Sequence, residues 1–294
     1  MGDLSSKNHV RQVLADCGLF AKKHFGQNFL TDGHVLSKIV AAADIQADDI
    51  VLEVGPGLGV LTQEMASLAS HVYAVEIDQD MAQILTQTMP ENVTVINEDV
   101  LKVNLAEKLP KTSPVKVVAN LPYYITSAVI FAVLEADLPI TSLVVMVQKE
   151  VAERFLAKPG TKAYGIPTLC VGFWGTTSLV ANVPPNCFFP RPDVHSAVIK
   201  IDVAPRYDID GQWFFPLVRA AFANRRKTLQ NCLANASNLG LTKDQAASLI
   251  HSAGFDPNIR GETLSLDDFA NLTKVYASNG FRNSKPPALS MFTP

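Results

Sequence analysis

The chain has 294 residues, of which 48% are apolar and 18% are charged, and its net charge is −3. This composition is typical of a folded globular protein with room for more than one domain. Its apolar runs, such as 143–147, are far shorter than the roughly 20 residues of a membrane span. The polar N-terminus, isolated cysteines and scattered histidines predict a cytoplasmic protein with no membrane segment and no metal site.

Short β-rich runs alternate with helical windows through the first half of the chain. This alternation predicts an α/β fold with a mostly parallel sheet that is covered by helices on both faces. Two later runs, 176–182 and 196–203, could close the sheet as an antiparallel pair, with a proline-rich loop between them. The predicted strands are 50–54, 72–76, 93–96, 115–119 and 143–148, and the predicted helices are 36–47, 59–69, 80–87, 127–135 and 150–156.

The last third of the chain has helical periodicity. Apolar residues between Trp213 and Phe222 form one stripe, which Leu229 and Leu233 continue. Further helices are predicted at 242–253 and 265–277. The sequence therefore predicts three parts, which are an α/β domain at 1–205, a small all-helical domain at 206–280 and a disordered tail at 281–294.

The first three predicted strands end in residues that suit a nucleoside ligand, which in an open α/β sheet binds beyond the carboxyl ends of the strands. Gly55 opens a glycine-rich turn, Glu76 can accept both hydroxyls of a ribose, and Asp99 can accept an exocyclic amine. The turn has the pattern GxGxG after the acidic Glu53, whereas a pyrophosphate-binding dehydrogenase normally has GxGxxG. This pattern favours S-adenosylmethionine (SAM), which carries an ammonium group and no phosphate.

The fourth predicted strand runs into NLPYY at 120–124. A strand exit and a turn would explain Pro122, but not the amide and the aromatic ring beside it. An adenine amine is a poor nucleophile, and the Asn120 side-chain oxygen and the Leu121 carbonyl can accept its hydrogen bonds, which favours the transition state. Pro122 fixes the direction of that carbonyl, and Tyr123 can stack on the base. These residues predict methyl transfer to an adenine amine.

Eight motifs spread over nearly the whole chain resemble the rRNA adenine N6,N6-dimethyltransferase family, of the bacterial small-subunit type. Several of them are long enough to make coincidence implausible. They are KKHFGQNFL (22–30), EVGPGLGVLT (53–62), VEID (75–78), EDVL (98–101), NLPYYI (120–125), QKEVAERF (148–155), FFPRPDVHSAV (188–198) and AFANRRKTLQNCL (221–233).

The resemblance implies a Rossmann-like, SAM-dependent methyltransferase that dimethylates two adjacent adenosines near the 3′ end of small-subunit rRNA, late in subunit assembly. Its partner would be the immature small ribosomal subunit, and we expect a monomer. The resemblance also places Phe188 beside Tyr123 at the target adenine. The cofactor contacts that it implies are Asn28, Leu30, Gly55, Glu76, Asp99 and Asn120.

A basic segment in the last third predicts where RNA docks. Residues 191–294 hold 12 Lys and Arg against 9 Asp and Glu, whereas residues 1–190 hold 13 against 19. Arg225, Arg226 and Lys227 follow the apolar stripe of a helix, and arginine binds phosphate through charge-assisted, bidentate hydrogen bonds. A solvated helix face is the plainer interpretation of this triplet. The secondary candidates are Arg219, Lys22 and Lys23.

Three alternatives remain open on the sequence. A large-subunit rRNA adenine methylase has the same catalytic domain, but the segment 221–233 resembles the small-subunit enzymes. A non-catalytic RNA-binding or transcription factor on the same fold disagrees with the intact Glu76, Asp99 and NLPY residues. A DNA adenine methylase would use a similar motif, but the helical second domain fits it poorly.

Overall fold

The structure is a computed structural model that describes residues 6–22, 25–204 and 206–278. Its strands are β1 (Phe29–Leu30), β2 (Ile50–Val54), β3 (His71–Val75), β4 (Val93–Ile96), β5 (Val115–Asn120), β6 (Ile140–Gln148), β7 (Gly175–Val183), β8 (Phe188–Phe189) and β9 (Ser196–Val203). Its helices are α1 (Lys7–Asp16), α2 (Gly33–Ala43), α3 (Val60–Ala66), α4 (Gln79–Thr88), α5 (Leu105–Lys108), α6 (Thr126–Glu135), α7 (Lys149–Phe155), α8 (Ile166–Trp174), α9 (Gly211–Phe222), α10 (Leu229–Asn235), α11 (Lys243–Ser252) and α12 (Leu266–Ser278).

The chain separates into two compact units. The first comprises 1–152 with 176–204, and the second comprises 153–175 with 205–294. The sequence predicts 153–175 in the first domain, but in the structure this segment clusters with the second unit. The physical reason is aromatic packing, because the Phe173 ring on α8 lies 5.1 Å from that of Phe214 and 4.8 Å from that of Phe215, both on α9.

Seven strands of the first unit form the main sheet, in the order β4-β3-β2-β5-β6-β9-β7. The pairs β3–β4, β2–β3, β2–β5 and β5–β6 are parallel, and β9 is antiparallel to β6. All five residues of β2 are buried, as expected for a strand with both faces of its sheet covered. The predicted α/β class with a mostly parallel sheet is confirmed, and the two later runs do form neighbouring strands, β7 and β9, at one end of the sheet.

The strand order reverses at β2, which lies between β3 and β5. Val54 at the end of β2 is in register with Val75 of β3 and with Ala119 of β5. The residues that follow these three strands therefore emerge together at one edge of the sheet. In open α/β sheets this reversal is the place where ligands bind.

A second, two-stranded sheet joins two distant segments of the first unit. Leu30 of β1 is in register with Phe188 of β8, and the backbone N–H of Thr31 donates to the Cys187 carbonyl at 2.8 Å. The sequence predicts a loop around Phe188. The prediction is wrong for two residues, because a strand this short has no periodicity and its partner lies about 150 residues earlier in the chain.

The second unit is helical in its described part from residue 206 onward, as predicted. Phe214, Leu217 and Val218 of α9 are fully buried. The apolar stripe predicted to be continuous is divided between two helices. The first, α9, ends at Phe222, and the second, α10, begins after Thr228, whose hydroxyl caps it by accepting from the N–H of Asn231. The helices α1 and α8 lie where the sequence predicts no element, and the predicted tail at 281–294 lies outside the described residues.

Candidate active site

A cavity of about 190 Å³ lies at the carboxyl ends of β2, β3 and β5. Its described lining includes four carboxylic acids, Glu53, Glu76, Glu98 and Asp99, and no lysine, arginine or histidine. A lining of this sign favours a cationic ligand over one that carries phosphates. The predicted site residues that line it are Asn28, Leu30, Gly55, Glu76, Asp99, Asn120, Leu121, Pro122 and Tyr123.

The glycine-rich turn after β2 brings backbone close to this cavity. Gly55 has a φ of +70°, and a Cβ built there would lie 3.8 Å from the Asn120 carbonyl oxygen. Gly57 has a φ of +58°, and a Cβ there would lie 3.0 Å from the ring of Phe29 on β1. Both positions need glycine, the first for its positive φ and the second also because the Phe29 ring fills the space.

Glu76 follows β3 and is 5% exposed. Its Oε2 accepts from the N–H of Gly57 at 3.1 Å, and its Oε1 accepts from the N–H of Asp78 at 2.9 Å. Burial raises the pKa of Glu76, and these backbone N–H groups oppose that shift. Each carboxylate oxygen accepts only one of these bonds, so the group retains lone pairs for a pair of ligand hydroxyls.

Glu53 is 1% exposed and also lines the cavity. The hydroxyl of Thr62, which is fully buried on α3, donates to Glu53 Oε2 at 2.6 Å. Burial raises the pKa of Glu53 to about 8, and nearby Glu76 acts in the same direction. The sequence pattern does not single out Thr62, although its place in the first turn of the helix after the glycine turn puts it within reach of Glu53.

Asp99 follows β4 in a turn, where its Oδ1 accepts from the N–H of Leu101 at 3.0 Å. Its Oδ2 lies 3.7 Å from the Nζ of the exposed Lys102. The side chain is 27% exposed, so part of it remains accessible to a ligand. The predicted acceptor thus also serves as a turn residue, and both roles fit one carboxylate.

The amide of Asn120 has a defined orientation. Its Nδ2 donates to the backbone carbonyl of Asn28 at 3.0 Å, and the Nδ2 of Asn28 in turn donates to the Gly26 carbonyl at 3.0 Å. Among the described residues, the Oδ1 of Asn120 accepts no hydrogen bond, so the acceptor end of the amide is left for a ligand. The next residue, Leu121, is held by its N–H, which donates to the Met146 carbonyl on β6 at 3.2 Å.

The two adjacent tyrosines of the site differ in their surroundings. The Tyr123 hydroxyl lies 2.6 Å from the Oγ of Ser196, which is fully buried at the start of β9. Burial raises the pKa of Tyr123, so its phenol stays protonated, and the bond to Ser196 positions its ring. Tyr124 also lines the cavity, but it is 64% exposed. The sequence does not reveal Ser196, because it lies 73 residues beyond Tyr123.

The family model for ribosomal RNA adenine dimethylase matches residues 18–278. The chain belongs to this family. The resemblance drawn from its motifs is therefore confirmed, and membership implies a methyl donor of the SAM type. Two curated relatives are called ribosomal RNA small subunit methyltransferase A. The one from Lachnoclostridium phytofermentans is 45% identical and the one from Bacillus mycoides is 43% identical, and each match covers 94% of this chain and 98% of the relative.

Two solved structures place the fold of this dimethylase among known methyltransferases. A dimethyladenosine transferase from Plasmodium falciparum is similar with a TM-score of 0.71 and 27% identity, over 83% of this chain and 95% of that one. The 23S rRNA methyltransferase ErmE is similar with a TM-score of 0.63 and 25% identity, over 85% of this chain and 100% of that one. The predicted Rossmann-like methyltransferase fold is confirmed.

Lys22 of this dimethylase, predicted as a secondary RNA contact, is paired with acids. Its Nζ lies 2.7 Å from Asp78 Oδ1 and 2.7 Å from Asp80 Oδ2, and Gln27 Nε2 donates to the other oxygen of Asp78 at 2.8 Å. These bonds fasten Lys22 and Gln27 to the start of α4. Lys22 therefore has a local structural role in the described structure, and Lys23 lies outside the described residues.

Phe188 does not line the cavity and is only 1% exposed. Its side chain belongs to a core cluster with Leu30, Val118 and Met146. In this conformation it has no accessible face for an adenine ring, so the predicted stacking role is not supported by the geometry. The reason is the pairing of β8 with β1, which turns the side chain of Phe188 into the core.

Arg225 is the main correction to the predicted RNA contacts. Its Nε and Nη2 both lie 2.9 Å from Glu262 Oε2, and the remaining donors reach the carbonyls of Thr161, Lys162 and Tyr164 at 2.9 to 3.1 Å. Four hydrogen bonds and the ion pair with Glu262 thus engage the guanidinium within the second unit, which leaves little donor capacity for a phosphate. Arg225 fastens the 161–164 segment, which the sequence could not show because these partners lie 37 to 64 residues away.

The other members of the triplet remain candidates. Arg226 and Lys227 are exposed, and within the described residues neither side chain makes an ion pair or hydrogen bond. Arg219 lies in the last turn of α9 and is half-buried.

The described helices include none that is both long and apolar enough to cross a membrane. The described ranges also hold no group of three His, Cys, Asp or Glu placed to bind a metal ion.

Proposed function

We propose that this chain is a SAM-dependent enzyme that dimethylates N6 of two adjacent adenosines near the 3′ end of small-subunit rRNA, in the cytoplasm. Family membership and the names of relatives at 43 to 45% identity support this substrate. One observation carries the chemistry. The Asn120 amide is oriented by Asn28, so its oxygen is left as an acceptor in the same cavity as Glu76 and Asp99.

The cavity residues fit SAM in charge and in hydrogen bonding. Glu76 would accept the ribose hydroxyls, Asp99 would accept the amine of the adenine moiety, and the acidic lining would favour the positive charges of the cofactor. When bound, SAM supplies an electrophilic methyl group on a sulfonium sulfur. Asn28, Leu30 and Gly55 complete the predicted contacts, because they form the backbone wall of the same cavity.

The residues after β5 would bind the target adenine. Asn120 Oδ1 and the Leu121 carbonyl accept hydrogen bonds from the N6 amine, which localises its lone pair and stabilises the transition state more than the ground state. Tyr123 stacks on the base, and its bond to Ser196 keeps the ring in position. Because its phenol stays protonated, Tyr123 contributes a surface and does not remove the proton. The methylated amine is acidic enough to lose that proton to water.

The activity is tested by incubating the protein with labelled SAM and unmethylated small subunits, followed by mapping of the labelled nucleotides. We expect label on N6 of two adjacent adenosines near the 3′ end. Immature subunits should be better substrates than mature ones if the enzyme acts late in assembly. Label in large-subunit rRNA, or an equal rate of methylation on DNA, would overturn the assignment of small-subunit rRNA as the substrate. Sedimentation of the protein alone tests the expected monomer.

Arg226 and Lys227 would dock RNA phosphates, with Arg219 as a further candidate. Affinity for RNA falls as salt rises. Removing a cationic side chain that contacts one phosphate should reduce the steepness of log affinity against log salt concentration by about 0.7–0.9. We expect the double variant R226A/K227A to lower that slope by the equivalent of one or two phosphates, with unchanged SAM affinity. The matched control is K38A/K111A, which removes two lysine charges from the first unit. Equal slopes in both double variants would assign the pair to surface solubility.

A further inference from the structure

The exposed ring of Tyr124 has no role in the proposed chemistry. It is 64% exposed at the cavity, next to the half-buried Tyr123. Its hydroxyl makes no hydrogen bond within the described residues, whereas that of Tyr123 is bonded to Ser196. A single exposed ring needs no explanation by itself, but an aromatic ring exposed at the cavity offers a face on which a base can stack.

The Tyr124 ring lies near the turn that orients Asn120. A Cβ built at Gly26 would make ordinary contacts, at 3.5 Å, with Tyr124 Cε1 and with Pro122 Cβ. Gly26 has a φ of +64° and its carbonyl accepts from Asn28. The ring is therefore placed beside a defined turn, and 64% of the residue remains exposed.

The charge of the cavity determines what kind of contact can hold RNA at its mouth. The described lining holds acids and no basic side chain, so the lining itself offers no cation to a phosphate. Stacking on an aromatic ring is a way to hold nucleotides that does not need positive charge, and it tolerates any base. Tyr123 and Tyr124 are adjacent in the chain and both line the cavity, the first half-buried and the second exposed.

We propose that Tyr124 binds the nucleobase next to the target adenosine by stacking, while Tyr123 holds the target itself. This inference rests on the proposed function and adds a second nucleobase site at the mouth of the same cavity. On this proposal the neighbouring nucleotide is already bound to the enzyme before the first methyl transfer. When the first product leaves, the neighbour needs to move by one nucleotide only, which suits an enzyme that modifies two adjacent adenosines.

The test uses small subunits reconstituted with rRNA that is intact or carries an abasic nucleotide on either side of the target adenosine. Rates of the first methylation are measured for the wild type, Tyr124→Leu, Tyr124→Phe and the control Leu179→Ala. Leu179 is a 49% exposed apolar residue on β7 and does not line the cavity. SAM affinity by calorimetry verifies that each variant is folded.

On intact RNA we expect Tyr124→Leu to raise the KM for subunits about tenfold with kcat changed less than about twofold. Tyr124→Phe and Leu179→Ala should match the wild type. For one of the two abasic RNAs, the wild type should be slower by about tenfold, and Tyr124→Leu should show no further decrease. That coupling identifies the side on which the neighbour binds.

The inference would be overturned if the Tyr124→Leu substitution and each missing base slowed the first methylation independently, so that their effects multiplied. The proposed function would still stand in that case. Equal behaviour of Tyr124→Leu and Tyr124→Phe would also overturn the inference alone. A wild type that does not methylate intact subunits at all would overturn both.

Discussion

The cavity of the first unit and the hydrogen bonds around Arg225 in the second unit both bring strongly polar groups together, but they differ in unused hydrogen-bonding capacity. Asn120 donates to Asn28 and keeps its acceptor oxygen free of protein partners among the described residues. Glu76 accepts one bond on each carboxylate oxygen. Arg225 instead uses its guanidinium donors on Glu262 and on backbone carbonyls.

This difference shows that residue type alone does not separate a binding group from a structural one. The motif around Arg225 and the motif around Asn120 are equally distinctive in the sequence. The number of donors and acceptors that the protein leaves unsatisfied is what distinguishes them. Four substitutions test this distinction.

Asn120→Ala should have the largest effect. Removing one preorganised polar group at the reacting amine should lower the single-turnover methylation rate by about a hundredfold or more. SAM affinity, measured by calorimetry, should change much less if the amide acts mainly on the target adenine. A normal rate in this variant would show that the unused acceptor has no catalytic role.

Glu76→Ala should weaken SAM binding by at least about tenfold to a hundredfold, which is the loss of one charge-assisted hydrogen bond of roughly 1.5–3 kcal/mol, and by more if both ribose hydroxyls lose their partner. Glu98→Ala is the matched control, since Glu98 lines the same cavity but is exposed and paired with Lys108 at 2.8 Å. Calorimetry should show near-wild-type affinity for the control. Equally weakened binding in the two variants would remove the ribose assignment and leave only a general effect of negative charge.

Arg225→Ala should lower the free energy of unfolding of the second unit by about 2 kcal/mol, a value reduced for the partial exposure of the guanidinium. Arg226→Ala should change it by less than about 0.5 kcal/mol. Both tryptophans, Trp174 and Trp213, belong to the second unit, so their fluorescence during urea unfolding reports on that unit. Coincident unfolding curves for the two variants would contradict the structural role of Arg225.

Glu53→Gln should remove a pH dependence of stability. Burial raises the Glu53 pKa from 4.5 to about 8, so the folded protein keeps a proton that the unfolded chain releases above pH 4.5. The wild type should therefore lose about 1.4 kcal/mol of unfolding free energy per pH unit between about pH 5.5 and 7.5, relative to Glu53→Gln. The exposed Glu64 supplies the control, Glu64→Gln, which should keep the wild-type slope. Parallel curves of unfolding free energy against pH for all three proteins would contradict the raised pKa of Glu53.

The strands and their polar ends can be predicted because each one is a local pattern. Apolar runs such as 50–54 give a buried strand, and the residue after the run marks the edge of a parallel sheet. The same reasoning assigns Gly55, Glu76, Asp99 and Asn120 to one place without any knowledge of pairing, and they do line one cavity.

The remaining features depend on contacts between distant parts of the chain. Ser196 is bonded to Tyr123 over 73 residues, and Thr161 is bonded to Arg225 over 64. The burial of Phe188 also depends on a distant contact, because it results from the pairing of β8 with β1. Helix α8 is absent from the predicted elements for another reason, since its short apolar run between two glycines fits a strand or a helix equally well.

The pairing of β1 with β8 has a consequence for the order in which this protein matures on the ribosome. Phe29 and Leu30 form part of the cavity wall, and the strand that holds them is completed by residues synthesised about 156 positions later. At about 5–20 residues per second, roughly 10–30 seconds of translation separate the two segments. During that interval the nascent chain has its glycine turn and its acidic strand ends but lacks the partner of β1. We therefore expect this wall of the cavity to be completed late in synthesis, after strands β2 to β6 and before β9.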